Sequence, residues 1–192
     1  MNKILGDKNM FGFFSNLFSD SSTVNWYRKL AEQGDVEAQH NLGTCYYKGK
    51  GVAKNLNEAV KWFQKSAEQG FDKAQFNLAL CYYNGFGVIK NKAEAVKWYR
   101  KAAEQGIAQA QASLGYCYEL GEGITEDITE AVKWYRKAAE QGDAIAQRNL
   151  ALCYGKGNGV EKDVNQSLYW LRKAARGGDP VAIDAMKKNI KF

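Results

Sequence analysis

The residues of this chain equipped for catalysis or metal binding are one histidine, four cysteines and a spread of carboxylates. His40 would have to serve any serine or cysteine nucleophile as its base, since no second imidazole is present. With no CxxC pair beside it, zinc also lacks a credible ligand set. Cys45, Cys81, Cys117 and Cys153 stand 36 residues apart, each on the apolar side of a helical stretch. Neighbouring thiols then lie one helix-pair layer apart, roughly 10 Å or more, whereas a disulfide needs Cα atoms within about 7 Å. Their expected role is that of small buried hydrophobes. The glycine-containing runs Gly49–Val52 and Gly85–Val88 recur as helix-to-helix turns and lack the spacing of a phosphate-binding loop. Most carboxylates fall in repeating cap or surface columns, whereas a catalytic pair would be unique within an array. The expectation is a chain that is not an enzyme and takes no cofactor and no metal.

The elements that position these residues follow from an internal repeat. The tetrapeptide AEQG recurs at Ala31–Gly34, Ala67–Gly70, Ala103–Gly106 and Ala139–Gly142, with a degenerate ARGG at Ala175–Gly178. Trp26, Trp62, Trp98, Trp134 and Trp170 keep the same 36-residue step. Within a unit, Ala38, Leu42, Cys45 and Tyr46 give an apolar face of helical period over about Asp35–Lys48. Gly49 and Gly51 stop that helix. A second helix is expected from about Asn55 to Gln69, buried through Ala59, Trp62, Phe63 and Ala67. Asn55, Asn91, Asp127 and Asp163 take its N-cap position, and Glu58, Glu94, Glu130 and Gln166 follow three residues on in a capping-box-like pattern. Two helices of about 21 Å each cannot bury their apolar faces alone, so the units must stack.

The composition agrees. The 192 residues are 45% hydrophobic, enough for a sizeable core, and Pro180 is the one proline beside nineteen glycines. No apolar run reaches the eighteen or so residues of a membrane-spanning helix. A formal charge of +6 is moderate, and where the charges sit matters more than their total.

The pattern AxxxLGxxYxxGxGV, carried by Ala38, Leu42, Gly43, Tyr46, Gly49, Gly51 and Val52, resembles the Sel-one-like repeat family, a relative of the tetratricopeptide repeat. The resemblance continues in AxxWxxxAAEQG at Ala95, Trp98, Ala102, Ala103 and Gly106 and covers residues 24–192. Ala79 and Ala151 replace the glycine after the leucine, and Lys156–Gly159 reads KGNG; both departures substitute small or loop residues. The resemblance implies an all-α, right-handed α-α superhelix of tandem 36-residue helix-turn-helix repeats. In this register a half repeat spans 24–34, full repeats span 35–70, 71–106, 107–142 and 143–178, and a capping helix spans 179–192. Some secreted members bridge two cysteines per repeat. This chain has one, which favours a reducing, cytoplasmic bacterial setting.

The resemblance further implies that the first helix of each pair lines the concave surface. There, columns that vary between units are His40, Phe76, Ala112 and Arg148; Thr44, Leu80, Tyr116 and Leu152; and Tyr47, Tyr83, Glu119 and Gly155. At i, i+4 and i+7 they form one stripe per helix. The candidate partner-binding set is His40, Thr44, Tyr47, Phe76, Leu80, Tyr83, Tyr116, Glu119 and Arg148. A groove for a protein or peptide and a core wedge between first helices both remain open for the aromatics, and the core wedge is favoured for Leu80 and Leu152. On the second helix, the columns of Arg100, Arg136 and Arg172 and of Lys101, Lys137 and Lys173 read as a solvated face with local pairing, such as Arg100 with Glu104. No nucleic-acid reader motif occurs.

Residues 1–23 stand outside the repeat. Met10, Phe11, Phe13, Phe14, Leu17 and Phe18 alternate with polar residues as a short amphipathic helix would. A cap over the core edge, a membrane-contacting or docking helix using residues 10–18, and a signal segment that would place the chain in the periplasm or outside the cell are the three readings. The expected function is a monomeric bacterial scaffold or adaptor that binds a protein partner on its concave face. An immunity-type inhibitor of a toxic effector and a peripheral membrane protein are the alternatives. An enzyme acting on cell-wall or β-lactam substrates is the most distant.

Overall fold

The computed structural model describes residues 21–189. They form ten α-helices and no strand: α1 (Ser21–Glu32), α2 (Val36–Lys48), α3 (Leu56–Glu68), α4 (Asp72–Asn84), α5 (Lys92–Glu104), α6 (Ala108–Leu120), α7 (Ile128–Glu140), α8 (Ala144–Lys156), α9 (Val164–Arg176) and α10 (Pro180–Asn189). Even-numbered helices are the first and odd-numbered helices the second of each pair. Each helix packs chiefly against the one before and the one after it, the linear contact order of a solenoid. The N-terminal segment with Phe11, Phe13, Phe14, Leu17 and Phe18 lies outside the described residues, as do residues 190–192.

The helix limits follow from caps. Asn55, Asn91, Asp127 and Asp163 accept from the backbone N–H three residues on, at 3.1, 3.0, 2.9 and 3.0 Å. The reciprocal half of the capping box does not form. The backbone N–H of each cap residue donates instead to the carbonyl of Tyr46, Tyr82, Tyr118 or Tyr154 on the helix before. Glu58, Glu94 and Glu130 are thereby released to pair outward with Lys61, Lys97 and Lys133 at 2.6, 2.5 and 2.8 Å. First helices end on a left-handed residue such as Gly49, φ +70°, a conformation other residues adopt only at a cost.

The core runs along the seam between successive pairs. Leu42, Leu78, Leu114 and Leu150 are completely buried, each worth about 1.5–3 kcal/mol of transfer free energy. Alanines at Ala38, Ala74, Ala110, Ala146 and Ala182, all buried, keep the side chains small at the helix contacts. A glutamine ladder crosses the layers. Gln39, Gln75, Gln111 and Gln147 are buried and donate to the carbonyls of Ala31, Ala67, Ala103 and Ala139 at 3.0–3.2 Å. Gln69, Gln105 and Gln141, the glutamines of AEQG, donate in turn to Gln39, Gln75 and Gln111 at 2.8 Å. That tetrapeptide is thus more than a turn signal, because its third residue satisfies a buried amide oxygen.

Candidate functional site

A helix turns 100° per residue, so the first-helix columns split by direction. His40, Phe76 and Arg148, and with them Tyr47, Tyr83 and Glu119, point to the seam between units. His40 sits between the rings of Phe63 and Phe71, centroids 5.8 and 5.2 Å away, with its Nε2 2.9 Å from the Asn77 amide. Tyr47 lies between Phe63 and Phe86 at 6.4 and 6.2 Å. Phe76 and Tyr83 both meet Tyr99, at 6.0 and 6.2 Å. The Tyr83 hydroxyl donates to Glu122, whose other oxygen lies 2.5 Å from Lys92 Nζ. Glu119 accepts from the fully buried Tyr135 hydroxyl at 2.5 Å. Arg148 pairs at 2.7 Å with Asp179, a buried carboxylate that also caps α10 by accepting from Ala182 N–H at 2.8 Å. All six are half-buried.

The middle column faces outward. Thr44 is half-buried with its hydroxyl on the His40 carbonyl at 3.0 Å, and Leu80 is half-buried against the core around Tyr99. Tyr116 and Leu152 are 43% and 50% exposed, so Leu152 is a surface residue rather than a wedge. Leu120, Ile145 and Val181 share this surface at 49–57% exposure, and sequence reasoning missed them. They belong to the stripe at i, i+4, i+7 and i+11 from residue 37, rotated some 60° from the stripe through His40 and Tyr47. Equivalent positions in the early units are polar, with Glu37 and Lys73 matching Ile145, and Lys48 and Asn84 matching Leu120. That polar-to-apolar change was the available signal.

Electrostatics describe a packed framework. Burial pushes the thiols of Cys81 and Cys153 up to about 11 and that of Cys117 to about 12, so they are protonated at neutral pH and all four cysteines are free. Burial, and then the Glu119 hydrogen bond, raise the Tyr135 hydroxyl well above the ordinary phenol. Hydrogen bonds from Lys92 and Tyr83 hold the Glu122 carboxyl below its usual range. Burial lowers His40. Among the described residues, no cluster of three or more histidine, cysteine or acidic side chains could hold a metal ion, and no helix is long and apolar enough to cross a membrane.

On the second-helix face, Arg100 donates to the Tyr118 hydroxyl at 2.7 Å rather than pairing with Glu104, and Arg136 donates to Tyr154 at 2.8 Å. Lys65, Lys101 and Lys137 lie over the rings of Trp62, Trp98 and Trp134 at 4.4, 4.0 and 4.1 Å, which keeps the lysine stems on the aromatic surface.

The Sel1 repeat model matches residues 21–35, 36–71, 72–107, 108–143 and 144–179. Among solved structures, the chain is similar to a Sel1 repeat protein from Oxalobacter formigenes, with 43% identity and a TM-score of 0.81 over 86% of this chain and 68% of that one. It is similar to c5321, a protective antigen of uropathogenic Escherichia coli strains displaying an SLR fold, with 40% identity and a TM-score of 0.82 over 85% of this chain. That match spans only 35% of the antigen. Immunity protein PA5088 from Pseudomonas aeruginosa is similar at 26% identity and a TM-score of 0.50, over 83% of this chain and 58% of that one. None of the curated proteins matches the chain.

Proposed function

The chain belongs to the Sel1 repeat family, and from that premise we propose that it is a non-catalytic scaffold or adaptor whose protein partner docks on the first-helix face of α6, α8 and α10. The observation that supports this reading is the set of Tyr116, Leu120, Ile145, Leu152 and Val181, each about half exposed. Large apolar side chains gathered on one face, two of whose three columns are polar in the early units, mark an interaction surface rather than scattered exposure. Tyr116 and Leu152 are its central anchors. His40, Phe76, Tyr83, Glu119 and Arg148 support the surface from beneath through the contacts described above.

The test is capture of partners from the native organism by wild type and by Tyr116→Asp plus Leu152→Asp. Both side chains are half exposed, so the two substitutions together should cost no more than about 1 kcal/mol, and circular dichroism checks that the fold is kept. A partner retained by wild type and lost by the folded variant supports the docking face. A partner held equally by both defeats it. An immunity-type inhibitor is the second reading, favoured by the similarity to PA5088. It requires one tight partner with a toxic activity that the protein silences.

A further inference from the structure

The repeat supplies an internal control for the second-helix face, and α9 departs from it. On α3, α5 and α7, Glu58, Glu94 and Glu130 neutralise Lys61, Lys97 and Lys133, and Glu68, Glu104 and Glu140 close each helix. On α9 these acids become Gln166 and Arg176, and the lysine becomes Tyr169. The helix therefore carries Arg172, Lys173 and Arg176 and no carboxylate. Arg100 and Arg136 have tyrosine hydroxyls as acceptors eighteen residues on. The residue at that distance from Arg172 is Ile190, which has none. Neither Arg172 nor Arg176, both exposed, has an ion pair or hydrogen bond among the described residues.

The same helix has an apolar floor that no helix covers among the described residues, with Lys173 Nζ 4.9 Å over the Tyr169 ring. Val60, Val96 and Val132 are buried in clusters flanked or joined by the next unit's Trp98, Trp134 and Trp170, whereas their counterpart Leu168 is half-buried and Tyr169 is 47% exposed. Asn165, Leu168, Tyr169, Arg172, Lys173 and Arg176 line a shallow depression of about 400 Å³.

We propose that this face of α9 is a second docking surface, distinct from the first-helix face, for an acidic amphipathic helix of a partner protein. That helix would set one large apolar side chain on Leu168 and Tyr169, as the tryptophan of a following unit does elsewhere, and place carboxylates against Arg172 and Arg176. Bidentate arginine pairing suits carboxylates. Unlike α9, α7 sets Glu130 and Glu140 among its cations. An extended polyanion crossing to α7 would meet Glu130 and Glu140, which disfavours nucleic acid. A second copy stacking its α1 here would bring Arg28 and Lys29 against the same cations.

The experiment is fluorescence anisotropy with the full chain and a synthetic helical peptide carrying one tryptophan flanked, one turn away on each side, by glutamates. Binding is expected that weakens with salt, falls about tenfold or more in Arg172→Glu plus Arg176→Glu, and returns when the peptide's glutamates are lysines. Lys61→Glu plus Lys65→Glu on α3 should leave it unchanged. Equal affinity for a glutamine version of the peptide, or unchanged binding to the folded Arg172→Glu plus Arg176→Glu variant, would overturn the proposal. So would tighter binding of duplex DNA or phosphatidylserine vesicles through the same arginines, or salt-dependent self-association through α9.

Discussion

Tyr135→Phe is expected to destabilise the protein without leaving a cavity. The ring is completely buried and its hydroxyl donates to Glu119 at 2.5 Å. The equivalent position in the first unit is already a buried phenylalanine, Phe63, so the slot accepts the shape and what is lost is the hydroxyl's hydrogen bonding, to Glu119 and with Asn149. Bonds to a charged acceptor contribute about 1.5–3 kcal/mol. Glu119 is half-buried and can regain water, which brings the expected loss to about 1–2 kcal/mol. At roughly 2–4 °C per kcal/mol for a chain of this size, the midpoint should fall by about 2–8 °C. Glu119→Gln keeps an acceptor without its charge and should lose about half as much, whereas Glu119→Ala strands the buried hydroxyl and should match or exceed Tyr135→Phe. Thermal and urea unfolding followed by circular dichroism, arranged as a double-mutant cycle, should give a coupling of about 1 kcal/mol. Additivity within about 0.3–0.5 kcal/mol would refute the reasoning. In that event, a Glu119→Ala variant of normal stability would return Glu119 to the list of partner contacts.

Gly123→Ala should cost far more than Gly142→Ala. Both glycines have positive φ, but a Cβ on Gly123 would lie 2.4 Å from the Lys92 carbonyl while one on Gly142 meets open space. Left-handed strain of about 1–2 kcal/mol is common to both, and overpacking adds about 1–3 kcal/mol at Gly123 alone, measurable by urea unfolding. Gly177→Gln should stabilise. It extends the glutamine ladder to Gln147, whose buried Oε1 has no hydrogen-bond partner among the described residues, and a gain of about 1 kcal/mol shows as a raised midpoint unless the 3.1 Å approach to Ala144 Cβ cancels it. Iodoacetamide at about pH 8 should label Cys45 first, since it is half-buried, while Cys81, Cys117 and Cys153 stay unmodified until denaturant is added; equal labelling of all four by mass spectrometry contradicts their burial. His40 has a folded pKa below that of the unfolded chain, so the unfolded state binds more protons and stability should fall as pH drops below about 6.5. The urea midpoint of His40→Gln should lack that component, and identical pH profiles would disprove it.

How much was legible beforehand depended on the range of the interaction. The 36-residue period, the caps at Asn55, Asn91, Asp127 and Asp163, and the glycine stops are local, and the sequence by itself determined them, because helix propensity and capping act within a few residues of chain. The family and the stacked-pair architecture followed from the same pattern, since a two-helix unit with one apolar stripe has no other way to bury it. Only the tertiary structure decided which side of each first helix remains at the surface. His40, Tyr47, Phe76 and Tyr83 vary between units as binding residues would, yet they fill the seam, because residues three and ten positions on from the start of the outward ridge turn towards the neighbouring pair. Leu152 and Ile145 look like core residues by type and are exposed, because no helix lies over them among the described residues. The half-formed capping box and the glutamine ladder likewise involve partners on other helices, 8 to 30 residues away, and contacts of that kind exist only once the helices have packed.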